Sequence, residues 1–296
     1  MNEYLYSLEK GSKKFICPNC DQKTFVRYVD IWKNCYLEAE VGRCDREAKC
    51  GYHRKPDGNT KLGTTTELQP PKPPTYHDLD LLHSTQVRDD NFCNYILSKY
   101  PTGMVEYVWS LYKIGSANTI TNLSDYKNAT IFWQIDRENN IRHGKVILYN
   151  PKTLKRVKAP DGRAIINSVR SLKGLKDFNL SQCLFGLHLV KDVNEIEKQR
   201  PIGLVESEKT AILMAIIKSE YTWLATGTKS MFGEKYLKDI KDQKIVAYPD
   251  TDAFDDWTKV AASLNSQGYD ITISKVLQDK KLPSGTDLAD VFLNNQ

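Results

Sequence analysis

The sequence predicts an α/β core, a parallel sheet flanked by helices, preceded by an α+β subdomain and a small β-rich module held by a metal ion. Three patterns predict it. Over residues 198–296 short apolar runs alternate with helical stretches, over 76–197 a helical stretch is followed by a hairpin pattern, and residues 1–57 carry two cysteine pairs among β-prone segments.

In the first module Cys17-Pro18-Asn19-Cys20 and Cys44-Asp45-Arg46-Glu47-Ala48-Lys49-Cys50 are separated by 23 residues, with β-prone stretches over 24–31 and 36–41 between them. Four thiolates about 2.3 Å from one ion close a tetrahedral structural site. A module this small has too thin an apolar core to fold without such a staple. The spacing is that of a zinc ribbon, with Cys17, Cys20, Cys44 and Cys50 as ligands of one structural Zn²⁺. His53, three residues past Cys50, is the alternative fourth ligand, and Cys35 reads as a small packed or exposed side chain.

Residues 58–75 hold Gly58, Gly63, three consecutive threonines and Pro70, Pro71, Pro73 and Pro74, which predicts an extended, semi-rigid tether with little core of its own. The α+β subdomain follows over 76–197. A helix is expected over 88–99, stopping before Pro101, and a hairpin over 129–136 and 141–149 around Glu138-Asn139-Asn140. Trp109, Tyr112, Phe132 and Trp133, with Tyr107, could stack on unpaired bases, but their helix and strand contexts favour core packing for most of them.

In the last portion strands are expected over 201–205, 221–225, 244–248 and 271–276, and helices over 209–218, 234–240 and 253–267. Glu206 directly follows the first apolar run and Asp250 the third. Both carboxylates therefore fall at the carboxyl ends of buried parallel strands, where open α/β sheets place their sites. Mg²⁺ prefers hard oxygen ligands and keeps several waters, so a few carboxylates on neighbouring strand ends suffice. Asp250 and Asp252 can both reach an ion from one loop, and Glu206 approaches from another strand as ligand or general acid/base.

The net charge of +5 is unevenly distributed. Residues 76–190 carry 15 Lys/Arg against 10 Asp/Glu, and residues 191–296 carry 14 against 17. Between Arg142 and Lys176 ten basic residues face the single acid Asp161. Unbalanced like charge repels itself unless a polyanion is near, so this stretch suits a phosphate backbone, against the plainer reading of a solvated surface. Arg142, Lys145, Lys155 and Arg156 are its candidate nucleic-acid or nucleotide contacts. Lys209, beside Glu206, either meets phosphate or serves its own helix, and Lys229, in Thr226-Gly227-Thr228-Lys229-Ser230, either meets a nucleotide phosphate or lies in a plain strand-to-helix turn.

The 296 residues, 40% of them hydrophobic, support real cores. No apolar run approaches membrane-spanning length and residues 1–14 are polar, so no membrane role is expected. Seven cysteines, four of them clustered, point to a reducing, cytoplasmic compartment.

Leu204-Val205-Glu206-Ser207-Glu208-Lys209 and Ala247-Tyr248-Pro249-Asp250-Thr251-Asp252 resemble the signatures of Toprim proteins, and the hairpin Ile131–Asp136 with Ile141–Val146 resembles the basic subdomain of bacterial and phage DNA primases. Leu184-Phe185-Gly186-Leu187 is similar to their linker into the Toprim core, and Ser284 to Leu293, with Asp287, to the acidic segment that closes it. Ser207 stands where these families commonly have glycine, and Asp290 lies one residue further from Asp287 than in the usual arrangement.

The resemblance implies a Toprim core and a metal-dependent nucleotidyltransferase that makes short RNA primers on single-stranded DNA from nucleoside triphosphates, in chromosomal-type, plasmid or mobile-element replication. It implies Mg²⁺ or Mn²⁺ on Glu206, Asp250, Asp252 and Asp287, with Glu206, Asp250 and Asp252 catalytic. A separate helicase or replication initiator is the expected partner. A Toprim nuclease and a non-catalytic zinc-ribbon DNA-binding accessory protein are the alternatives, and a type IA topoisomerase is disfavoured for want of strand-passage domains.

Overall fold

A computed structural model describes residues 5–9, 13–47, 49–67, 72–190, 200–278 and 282–293. Two compact units form, Met1–Pro73 and Pro74–Gln296.

The first unit is β1 (Tyr6–Leu8), β2 (Phe25–Asp30), β3 (Cys35–Leu37), β4 (Gly42–Cys44), β5 (His53–Arg54) and β6 (Leu62–Glu67). All its pairings are antiparallel, in the order β5-β4-β2-β3-β6 with β1 also on β2. The interior is small. Phe25, Cys17 and Cys44 are buried in it, with Phe15 and Tyr52 packed around them. A Cβ on Gly42 would lie 2.2 Å from the Val26 carbonyl oxygen and 2.5 Å from the Phe25 ring, so β4 can approach β2 only as glycine.

Two expectations for this part of the chain are corrected. The β-prone stretch 36–41 is strand only to Leu37, because Glu38 to Val41 turns the chain back into β4. Leu62–Glu67, expected within the tether, is β6 and pairs with β3. Its threonines are strand formers, and pairing satisfies backbone groups that a tether leaves to water. Pro70 and Pro71 lie outside the described residues.

The second unit opens with α1 (Leu79–Thr85), α2 (Asn91–Leu97) and α3 (Thr102–Leu111). The helix expected over 88–99 starts later because Asp90 caps it. The buried Asp90 Oδ1 accepts the Phe92 and Cys93 N–H groups at 3.0 and 3.1 Å and the Thr130 hydroxyl at 2.6 Å. Next comes an antiparallel sheet, β7 (Gly115–Ser116), β8 (Thr130–Ile135), β9 (Ile141–Ile147) and β10 (Ile166–Ser168), in the order β10-β9-β8-β7, with α4 (Val169–Leu172) after it. The expected hairpin is β8 and β9. Every residue of β8 is buried, because Ile131, Trp133 and Ile135 pack with Leu82 and Val169 while Phe132 packs with α2, α3 and α5 residues.

A parallel sheet completes the unit: β11 (Ile202–Val205), β12 (Thr222–Ala225), β13 (Lys244–Ala247) and β14 (Asp270–Ile273), in the order β12-β11-β13-β14. Its helices are α5 (Glu208–Ile217), α6 (Glu234–Leu237), α7 (Phe254–Asn265) and α8 (Leu288–Leu293). The helix expected over 234–240 is α6 followed by a 3₁₀ turn over 238–240, and the strand expected over 271–276 ends at Ile273. α5 is apolar on nearly all sides because β11, β12, α3 and α8 all pack against it. α7 covers the other face, where Trp257, Ala261 and Leu264 meet Leu204, Leu224 and Ile245.

One hydrophobic cluster joins the antiparallel and parallel parts of the second unit. Trp109 and Tyr112 of α3, Phe132 of β8 and the α5 side chains share a cluster, and Tyr112 Oη donates to the Trp223 carbonyl at 2.8 Å. The boundary expected at 197/198 falls outside the described residues. Among the described residues no helix is long and apolar enough to cross a membrane.

Candidate functional site

The four cysteines of the first unit converge. Cys17 and Cys20 flank a turn in which Asp21 N–H donates to the Cys17 carbonyl, Cys44 ends β4, and Cys50 lies in the turn before β5. All four Sγ atoms lie within 4.8 Å of one another, with Cys17 to Cys50 at 3.7 Å and Cys20 to Cys44 at 3.9 Å. The edge of a tetrahedron with Zn–S near 2.3 Å is about 3.8 Å. The set therefore fits structural Zn²⁺. His53 is outside it, stacked on Tyr28 and hydrogen-bonded to its hydroxyl at 3.0 Å, so the fourth thiol and not His53 completes the group. Burial pushes the Cys17 thiol up to about 11, whereas the Asn19 amide and the Tyr52 N–H hold Cys50 down to about 6. Cys35 is packed and buried.

The acidic candidates gather in the second unit. β11 and β13 are adjacent, in register from Ile202↔Ile245 to Leu204↔Ala247, so Glu206 and the Asp250–Asp252 loop leave the same sheet end side by side. The Tyr248 N–H donates to the Leu204 carbonyl at 2.8 Å and extends that register past the strand. From β11 the chain goes to β12 on one side and reaches β13 on the other, which makes this the switch point of the sheet. Burial, and then Asp252, raise the Glu206 carboxyl, against the Lys229 N–H that it accepts and the charge of Arg156. Burial, and then Glu206, Asp287 and Asp252, push Asp250 up to about 8, against Lys209.

These carboxylates feel one another, yet among the described residues only the four cysteines have ligand atoms all within 4.8 Å. Asp287 is differently committed. Its Oδ2 accepts the Thr210 hydroxyl at 2.9 Å and lies 3.2 Å from Lys209 Nζ, and its Oδ1 accepts the Asp290 N–H at 2.8 Å. Asp290 Oδ2 accepts the Asp287 N–H in return, a reciprocal cap at the start of α8. Glu206, Asp250 and Asp252 have oxygens suited to a hard divalent ion.

The candidate cations separate into struts and free charges. Lys145 Nζ donates to both Glu208 carboxylate oxygens at 2.9 and 3.0 Å and to the Gly227 carbonyl at 2.9 Å. Arg142 donates to Asp136 at 2.6 Å and to Ser181 at 3.0 Å. Lys229 donates to the Asp252 carbonyl at 2.6 Å and pairs with Asp256 at 2.9 Å, which fastens the loop after β12 to the one after β13. Lys209 is paired with Asp287. Of the six candidates, Lys155 and Arg156 are exposed and have no acidic partner among the described residues. Lys155, Lys209, Tyr95, Thr153, Thr286 and Asp290 line a cavity of about 490 Å³.

Sequence reading missed Glu208, Thr210, Gly227 and Asp256 as partners. Glu208 carried a signal, being a charged residue at the start of a helix that is apolar from Ala211 onward. Gly227 has φ +83°, and a Cβ there would lie 3.0 Å from Glu208 Oε1, so this carbonyl reaches Lys145 from a position suited to glycine.

A family model designated DUF6371, a domain of unknown function, matches residues 90–251, and a zinc beta-ribbon finger model matches residues 4–64. No curated protein matches the chain in sequence. Among solved structures the chain is similar to the primase fragment of the bacteriophage T7 primase-helicase protein, with 15% identity, TM-score 0.44, and 95% of this chain and 94% of that chain covered. It is also similar to the E. coli primase catalytic core, with 15% identity, TM-score 0.46, and 73% and 74% covered. For the zinc-binding and RNA polymerase domains of Aquifex aeolicus primase the values are 14% identity, TM-score 0.36, and 98% and 77% covered.

Zinc removal is expected to unfold the first unit alone. Elemental analysis should give about one Zn²⁺ per chain, and a Cys17→Ser/Cys20→Ser variant should lose it and become protease-sensitive within residues 1–73 while residues 74–296 stay resistant.

Lys145→Met strands the Glu208 charge in a buried place and should lower stability by about 3–5 kcal/mol, with Lys145→Met/Glu208→Leu recovering most of the loss in urea denaturation.

For Asp250 the folded pKa of about 8 lies above the ordinary 3.8, so in metal-free protein its contribution to stability is present at low pH and lost as pH rises through about 8. Asp250→Asn does not titrate. Its stability relative to the parent should therefore improve as pH rises from about 5 to about 8.5, and Mg²⁺ should close the gap by binding only the parent. A difference that is flat with pH contradicts the assignment.

Proposed function

The chain belongs to the DUF6371 family, and we propose that it is a primase-like, metal-dependent nucleotidyltransferase that joins ribonucleotides on single-stranded DNA. One observation carries the reading: Glu206 and Asp250/Asp252 leave the carboxyl ends of two adjacent parallel strands at the switch point of the sheet, with Asp250 held above its ordinary pKa by burial and by its acidic neighbours. Such a site is at ease only with a cation in it. The sequence motifs that resemble primases supply the reaction class.

In this reading Glu206, Asp250 and Asp252 hold Mg²⁺ or Mn²⁺, which when bound polarises the α-phosphate of a nucleoside triphosphate and acidifies the attacking 3′-hydroxyl. Glu206, half-buried with a raised pKa, also has a carboxylate oxygen suited to accept the hydroxyl proton. Lys229 fixes the spacing of the two acidic loops through its bonds to Asp252 and Asp256. Residues 76–197 provide the template path through Lys152, Lys155, Arg156 and Lys158, which have no acidic partner among the described residues, and the zinc ribbon adds a second hold on the template. Arg142 and Lys145 act as struts within it. The expected setting is the cytoplasm, in plasmid, mobile-element or chromosomal-type replication beside a separate helicase or initiator.

Purified protein incubated with single-stranded DNA, labelled nucleoside triphosphates and Mg²⁺ should yield short ribo-oligomers, reduced at least about a hundredfold by Glu206→Gln or Asp250→Asn with zinc content unchanged. Shortened DNA without oligomers would establish the nuclease instead. Synthesis at the parental rate by both variants would leave the DNA-binding accessory.

The template path is tested by salt. Replacing Lys155, Arg156 and Lys158 together by alanine should weaken binding to single-stranded DNA and reduce the slope of log affinity against log salt by about 2, near 0.7 for each lost phosphate contact. An unchanged slope would move the path elsewhere.

A further inference from the structure

We propose that Lys209 is a built-in counter-cation that withholds Asp287 from the metal, so that the centre takes a single divalent ion on Glu206, Asp250 and Asp252. This rests on the metal-centre reading above and specifies its stoichiometry.

The geometry begins in the first turn of α5. Lys209 and Thr210 follow Glu206-Ser207-Glu208 directly, and both turn toward Asp287 at the start of α8: the Thr210 hydroxyl donates to Asp287 Oδ2 at 2.9 Å and Lys209 Nζ lies 3.2 Å from the same oxygen. The other oxygen accepts the Asp290 N–H, and Asp290 Oδ1 is 3.7 Å from the same ammonium. Asp287 and Thr210 are buried, and the Lys209 side chain is 14% exposed. An ion reaching Asp287 would have to displace the ammonium and the Thr210 hydroxyl from Oδ2, or share Oδ1 with the Asp290 N–H.

The position of Lys209 strengthens the point. A cation in the first turn of a helix opposes the helix dipole at a cost, so this lysine is placed against local preference. Asp287 is the partner that offsets that cost. Three carboxylates remain, and Mg²⁺ that keeps several of its waters needs only one or two.

The test counts ions in the zinc-loaded full chain by Mn²⁺ titration with electron paramagnetic resonance detection, a readout independent of activity. The parent should bind one Mn²⁺. Asp287→Asn should keep that count and hold affinity within about twofold, whereas Asp250→Asn should abolish binding. Lys209→Met should open the Asp287 and Asp290 oxygens and raise the count to two, and Lys209→Arg should stay at one. Two ions in the parent, or an Asp287→Asn loss equal to that of Asp250→Asn, would overturn the inference and leave the metal centre standing. No Mn²⁺ on the parent would overturn both. If Lys209→Met does not fold, the parent count and Asp287→Asn decide.

Discussion

The second unit is organised around one buried ion pair, Lys145 with Glu208. Lys145 sits on β9 opposite Phe132, in the antiparallel sheet, and Glu208 opens α5, which belongs to the parallel sheet. The ammonium reaches both carboxylate oxygens and the Gly227 carbonyl, and the Gly227 N–H donates to the Glu206 carbonyl at 2.8 Å. A single lysine thus fixes three segments: the hairpin, the start of α5 and the loop after β12. Glu206 lies between the last two. Because the pair is buried, breaking one partner costs far more than the pair itself contributes, which makes the arrangement nearly all-or-none. A slip of β9 by one residue would turn Lys145 to the opposite face of its sheet and lose every one of these bonds.

The acids depend on that frame. Parallel strands in register bring the ends of β11 and β13 together, with α5 on one face of the sheet and the apolar side of α7 on the other. Burial there raises Asp250, and the surrounding lysines divide the compensation. Lys209 takes Asp287, Lys229 takes Asp256 and the Asp252 carbonyl, and Lys145 takes Glu208. Among the described residues the carboxylates of Glu206, Asp250 and Asp252 are left without an ion pair of their own. The first unit solves the opposite problem. Phe25, Phe15 and Tyr52 give too little core, so four thiols at tetrahedral spacing supply the cross-link that apolar area does not.

The strand ends and the thiols were legible because their signals are local. An apolar run closed by an acid, and cysteines three and six apart, mean the same thing wherever the chain carries them. The order of elements over 201–273 and the hairpin over 130–147 followed from periodicity for the same reason. The fate of the cations was not legible. Arg142 and Lys145 read as phosphate contacts in sequence, and the ion pairs of Lys209 and Lys229 went unseen, because most of their partners are remote, as with Glu208, 63 residues beyond Lys145. β6 was missed because Leu-Gly-Thr-Thr-Thr-Glu looks like a tether until β3 is placed beside it. The commitment of Asp287 was hidden likewise, since Thr210 lies 77 residues before it.

The central claim is that Glu206, Asp250 and Asp252 hold a divalent ion at the ends of β11 and β13. Anomalous diffraction from crystals of the full chain soaked in Mn²⁺ tests it most directly. The account predicts a manganese peak within about 2.5 Å of carboxylate oxygens of these residues, together with a separate zinc peak at the four cysteines. Crystals that show the zinc peak and place manganese elsewhere, or nowhere, would contradict it.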